Sequence, residues 1–321
     1  MASLDRIVNV HIHKNWTEED RARLKPIHQF NLRRVDIGLD KLEKARVSEG
    51  VHVFKFYSSS VVLRSAQGVV AVDFSQGPIN NTGEPEARDD FRSGFYMTPQ
   101  QRDRLAKMVD VSLITHRHYD HADYSLSRRL IAQGKTVIGP AQLKALWKDL
   151  AAKIAVPAYG TAQRFGPVEI FTMLGCQYAR SEAPGAGTER VGVPSTDPNQ
   201  DSETVVYLFR LGGIVFLHGA ENHVPAEAWL RQGIAAGFKP NVRLSLGQFQ
   251  GERSLQAALK TMKPLFWLPV HEYELRHAGG GARTARLLRG PNRKLFDNRQ
   301  MMPLLWGEDF LLTPATVAFT K

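Results

Sequence analysis

Two kinds of hydrophobic pattern alternate along the chain. Short β-branched and aromatic runs, Val51–Tyr57, Ser60–Arg64 and Val69–Phe74, are punctuated by Ser58-Ser59 and Gln67-Gly68. They predict a β-meander with one buried face. Thr98-Pro99-Gln100-Gln101 then carries a helix-start signature: Thr98 as cap, Pro99 in the first turn and Gln101 completing a capping box. That helix should run to about Met108. Val111–Ile114 predicts a buried strand, followed by a helix near Ser125–Gln133, a strand at Thr136–Ile138 and a helix over Ala141–Ala152. Residues 155–178 predict strands again. Glu203–Arg210 and Ile214–His218 predict a hairpin around Gly212-Gly213. Two helix-and-strand units follow, with strands at Arg243–Leu246 and Leu265–Leu268. The order is β-rich, helix and strand, then β-rich, helix and strand again. Such an order predicts two similar halves packed sheet to sheet.

Residues 1–48 are expected to form an N-terminal extension with short helical stretches at Thr17–Lys25 and Gly38–Lys44. Residues 49–321 are then one domain, closed by a basic helical segment. Residues 75–97 and 179–201 are long polar loops, a kind that is usually functional or disordered in compact domains. With 321 residues and 43% hydrophobic content, the chain can bury one sizeable core. Its single cysteine, Cys176, excludes an intramolecular disulfide and a thiolate metal cluster. Met1-Ala2-Ser3-Leu4-Asp5-Arg6 shows no apolar leader, so a cytoplasmic location is expected. No apolar run reaches membrane-spanning length.

Charge narrows the partners. Lysine and arginine number 42 against 32 acidic residues, a formal net charge of +10. This balance favours anionic partners. Arg276, Arg283, Arg286, Arg289, Arg293, Lys294 and Arg299 stand together against Asp297 alone. They form either a basic patch or the solvated face of a helix. A small anionic substrate is expected; association into a homo-oligomer stays open.

The sharpest chemical signal is Thr115-His116-Arg117-His118-Tyr119-Asp120-His121. His116 and His118 lie two residues apart in a segment leaving a strand and so point the same way. Their imidazoles suit zinc, iron, manganese or nickel. The chain then turns, and Asp120 and His121 can reach a second ion about 3.5–4 Å from the first. Placement directly after a buried strand adds weight, because strand ends in α/β sheets are where sites collect.

The motif, its position after Val111–Ile114 and the preceding meander resemble the metallo-β-lactamase superfamily over roughly residues 50–275. Val137-Ile138-Gly139-Pro140 and the layout are most similar to its ascorbate-6-phosphate lactonase-like branch. The resemblance implies an α/β fold: an αββα four-layer sandwich of two mixed β-sheets flanked by helices. It also implies His116 and His118 on one metal, with Asp120 and His121 on a second. His271, at the tip of Leu265–Val270, matches the late histidine of the pattern. Where relatives read His-Thr-Gly-Asp-Asn, this chain has His218-Gly219-Ala220-Glu221-Asn222. Glu221 takes the bridging place, with His218 and His223 as auxiliary polar groups; the alternative is Ala220 in that place and no bridge. No histidine stands at the third position. Gln177 matches it, Cys176 is the softer alternative, or neither binds.

These residues imply a metallo-hydrolase with one or two Zn2+ ions, Mn2+ or Fe2+ being alternatives. A metal-activated water would attack an ester, lactone or phosphodiester, with Asp120 as general base. Two other readings compete. A nuclease would use the positive charge on a phosphate backbone, but no aromatic-basic interleaving supports it. A non-catalytic binding protein would account for the missing histidine.

Overall fold

A computed structural model describes residues 18–77, 96–117, 121–175, 204–219, 227–246, 266–270, 302 and 304–317. Helices and strands are numbered in chain order. The first sheet is built on the expected meander: β1 (Val51–Lys55), β2 (Val61–Arg64) and β3 (Val69–Val72) pair antiparallel in succession. From β3 the pairing becomes parallel, through β4 (Val111–Leu113), β5 (Thr136–Ile138) and β6 (Ile154–Ala155). The second sheet runs antiparallel through β7 (Ala162–Phe165), β8 (Val168–Gly175), β9 (Thr204–Leu211) and β10 (Ile214–Gly219). It turns parallel through β11 (Val242–Leu246) and β12 (Phe266–Val270). Each half therefore repeats the same change from antiparallel to parallel.

Alternation along the strands explains the layers. Val51, Val53, Leu63, Val70 and Val72 face inward and meet Ile170, Tyr207, Phe209, Phe216 and Leu244 of the other sheet in one core. Their neighbours Phe54, Val62 and Ala71 face outward. There they meet α1 (Glu18–Lys44), α2 (Pro99–Met108) and α3 (Tyr124–Ala132) through Val35, Leu39, Leu105, Leu126 and Leu130. On the far side, α5 (Glu227–Ala235) places Leu230 over Phe171, Leu208 and Leu217. The result is the expected αββα sandwich of two mixed sheets, the metallo-β-lactamase fold.

Three elements depart from the sequence reading. The two short helical stretches before residue 48 are parts of one helix, α1, which runs through Pro26 and Gly38. Gly38 is there for space: a Cβ would lie 2.9 Å from the Phe56 ring. The helix beginning at Ala141 ends early, as α4 (Ala141–Leu146). Its last hydrogen bond is from the Trp147 N–H, and the Trp147 side chain turns into the core against Tyr124, ring centroids 5.8 Å apart. An unanticipated strand, β13 (Asp309–Leu312), pairs antiparallel with β1 and forms the edge of the first sheet. The short helix α6 (Pro314–Val317) follows it. Among the described residues no helix is long and apolar enough to cross a membrane.

Candidate metal centre

Parallel pairing puts the C-terminal ends of β3 and β4 side by side, and the candidate site is built there. Past β3, Asp73 has φ +42°, a left-handed conformation. Asp adopts it more readily than most residues because its short side chain finds local hydrogen bonds. Its amide donates to the Leu113 carbonyl at 2.9 Å, which ties the kink to β4. The carboxylate then turns toward the residues that follow β4.

Four donors converge on it. Oδ1 accepts the Thr115 amide at 2.7 Å. Oδ2 accepts from Thr115 Oγ1 at 2.7 Å, His121 Nδ1 at 2.7 Å and His218 Nε2 at 2.6 Å. All four residues are buried. Burial by itself pushes the Asp73 carboxyl up, but the electrostatic pull and hydrogen bonds of the His218 and His121 rings outweigh it. They hold Asp73 far below the ordinary carboxylate range.

This hub fixes ring tautomers. An ionised carboxylate only accepts, so His121 carries its proton on Nδ1. Thr115 Oγ1 gives its own proton to Asp73 and therefore accepts from His116 Nδ1 at 3.0 Å. Both rings thus have Nδ1 protonated, which makes Nε2 the nitrogen with the lone pair. Their centroids are 4.1 Å apart, with planes tilted by 42°. Metal-binding histidines are held in this way, with the N–H away from the ion fixed by a carboxylate or another oxygen. His116 and His121 therefore fit a divalent ion by donor chemistry.

The chain around the motif is anchored from three directions. Tyr207 of β9 donates its hydroxyl to the Ile114 carbonyl at 2.8 Å, and the Val205 amide donates to the Thr115 carbonyl at 2.8 Å. The end of β4 is thereby bonded to the second sheet. Beyond the motif, Asp123 caps α3, its Oδ1 accepting the Leu126 amide at 2.9 Å. Burial pushes the Asp123 carboxyl up to about 6, against the pull of Arg102, Arg129 and the backbone amides. The third anchor is the Asp73 hub.

Of the residues expected at the site, the structure brings His116 and His121 together. His118, Asp120, Gln177, Glu221 and His271 lie outside the described residues, as do Cys176, His223 and the basic stretch from Arg276 to Arg299. Among the described residues no three His, Cys, Asp or Glu side chains are grouped to hold an ion. Asp73 was missed as a site residue. Its signal is an apolar β-branched run, Val69–Val72, ending in a carboxylate, as Val111–Ile114 ends in the histidine motif.

No protein-family model and no curated protein matches the sequence. Solved structures do match in fold. One is a possible metal-dependent hydrolase from Veillonella parvula, 14% identical, with a TM-score of 0.53 over 83% of this chain and 100% of that one. Another is the isothiocyanate hydrolase from Delia radicum gut bacteria, also 14% identical, with a TM-score of 0.54 over 82% of this chain and 99% of that one. What they share with this chain is the sandwich of two mixed sheets.

Proposed function

We propose that this chain is a metal-dependent hydrolase acting on an ester, lactone or phosphodiester bond of a small anionic substrate. One observation carries the reading. His116 and His121 are buried side by side at the strand ends, each with Nδ1 committed to an oxygen. His118 and Asp120 lie between them in sequence and complete the ligand set, with His271, Glu221 and Gln177 as the further ligands. Zn2+ is the favoured ion by its affinity for imidazole, with Mn2+ or Fe2+ as alternatives. When bound, the ion supplies polarisation of the scissile bond and a water acidic enough to attack near neutral pH.

The chain's own residues do the rest. Asp73 and Thr115 hold the two histidine rings in orientation, so that no reorganisation is needed when the ion enters. Asp120 is the general base that takes the proton from the attacking water. The net charge of +10 draws an anionic substrate toward the protein. Of the two structural neighbours named above, one is an isothiocyanate hydrolase and the other a possible metal-dependent hydrolase, in keeping with this reading, which stands on the site itself.

Metal analysis of the full-length protein purified without added metal, followed by reconstitution with Zn2+, Mn2+ and Fe2+, tests it. Bound metal is expected, together with hydrolysis of a lactone, a carboxylic ester or a phosphodiester that is lost in His116→Ala. A protein that binds none of these ions and hydrolyses none of these substrates sinks the proposal.

A further inference from the structure

His218 lies on β10, in the opposite sheet from the histidine motif, yet its ring reaches the hub. Nε2 is 2.6 Å from Asp73 Oδ2 and Nδ1 is 3.1 Å from the Leu244 carbonyl oxygen on β11. The same Oδ2 accepts from Thr115 Oγ1 and His121 Nδ1. The His218 ring is thus held at both nitrogens, by the β11 backbone on one side and by Asp73 on the other. We infer that His218 is a positioning residue for the candidate ligand His121, fixing the Asp73 carboxylate between them.

The inference rests on the metal-centre reading and deepens it. Thr115 holds Asp73 from just past the end of β4, on the side of the same sheet. His218 holds it from the other sheet, with its own far side bonded to the β11 backbone. A continuous chain of bonds therefore runs from the Leu244 carbonyl through His218 and Asp73 to His121. The orientation of His121 thus depends on both halves of the molecule.

Two measurements on the full-length protein test this. The first is the long-range 15N–1H spectrum of the histidine rings in metal-free wild-type protein at neutral pH, with signals assigned by comparison with His218→Gln. His121 is expected as a single tautomer with Nδ1 protonated in the wild type, and as a mixture of tautomers in His218→Phe, where the ring no longer holds Asp73. An unchanged His121 signal in His218→Phe overturns the inference, and this arm needs no variant to bind metal. The second is Zn2+ affinity by competition with a chromophoric chelator. His218→Phe is expected to weaken Zn2+ binding by about 10–100-fold, with His218→Gln, which keeps a donor toward Asp73, recovering part of it. Wild-type affinity in both variants overturns the positioning role. Failure of the wild-type protein to bind Zn2+ removes the metal-centre reading, while the ring spectrum still decides whether His218 sets the tautomer of His121.

Discussion

Asp73 and His121 stand 48 residues apart in sequence and 2.7 Å apart at their bonded atoms, Oδ2 and Nδ1. That bond lets the end of one strand set the ring orientation of a residue beyond the end of the next. Asp73→Asn tests how much depends on the charge. Asn tolerates the left-handed backbone as well as Asp does, so the kink survives. The amide cannot accept as the carboxylate does from four donors, which leaves a buried donor unsatisfied. A loss of about 1–3 kcal/mol in stability is expected. Denaturant unfolding measures it, and Zn2+ affinity should fall by about 10–100-fold in the same variant.

Thr115→Val removes one hydroxyl that serves two partners. Its shape is nearly that of threonine, and the backbone bond to Asp73 Oδ1 remains. The cost should be about 1–3 kcal/mol, because His116 Nδ1 loses its acceptor and Asp73 a donor in a buried place. Thr115→Ser keeps the hydroxyl and should retain metal affinity near wild type. Equal metal affinity in the valine and serine variants would mean that the hydroxyl does not orient His116.

Tyr207→Phe isolates one tie between the sheets. Only the hydroxyl bonded to the Ile114 carbonyl is lost, and the ring keeps its place in the core. A destabilisation of about 1 kcal/mol is expected, seen as a shift in the denaturation midpoint with an unchanged slope.

Stability should respond to acid through Asp309. Burial tends to raise this carboxyl, but Lys41 and His52 outweigh it and lower its pKa below the ordinary 3.8. A carboxyl depressed in the folded state contributes stability that is present above the unfolded value. That stability is lost as pH falls from about 4 toward the folded value. Asp309→Asn should flatten the decline in stability below about pH 4 and lower stability at neutral pH. An unaltered pH profile in this variant would show that the cluster of Lys41, His52 and Asp309 contributes nothing to acid stability.

Gly212 offers a backbone test. Its φ is +53°, and a Cβ there would lie 2.2 Å from the Gly50 carbonyl oxygen. Backbone on one side cannot yield as a side chain would. Gly212→Ala should therefore destabilise by more than the roughly 1 kcal/mol of an ordinary left-handed glycine replacement. Thermal unfolding of the variant checks it.

Much of the fold was legible because its signals are local. Alternating runs gave β1 to β3, the glycine pair gave the β9–β10 hairpin, and Thr98 with Gln101 gave a capping box that forms as expected. The histidine motif was legible for the same reason, as its residues are close in sequence. What escaped is non-local. Asp73 is one of many acidic residues, and only its donors, contributed by the motif and β10, reveal its part. β13 has no pattern of its own strong enough to mark it; it is a strand because β1 offers it an edge. The continuity of α1 was hidden by Pro26 and Gly38, residues that usually end helices, here outweighed by packing of Val35, Leu39 and Leu42.

The pairing of β1 with β13 also bears on the order in which the molecule is completed. During synthesis, His52 leaves the ribosome 257 residues ahead of Asp309, its partner across that edge. Until the later strand arrives, β1 offers an open hydrogen-bonding edge next to apolar Val51 and Val53, a template for pairing with the wrong chain.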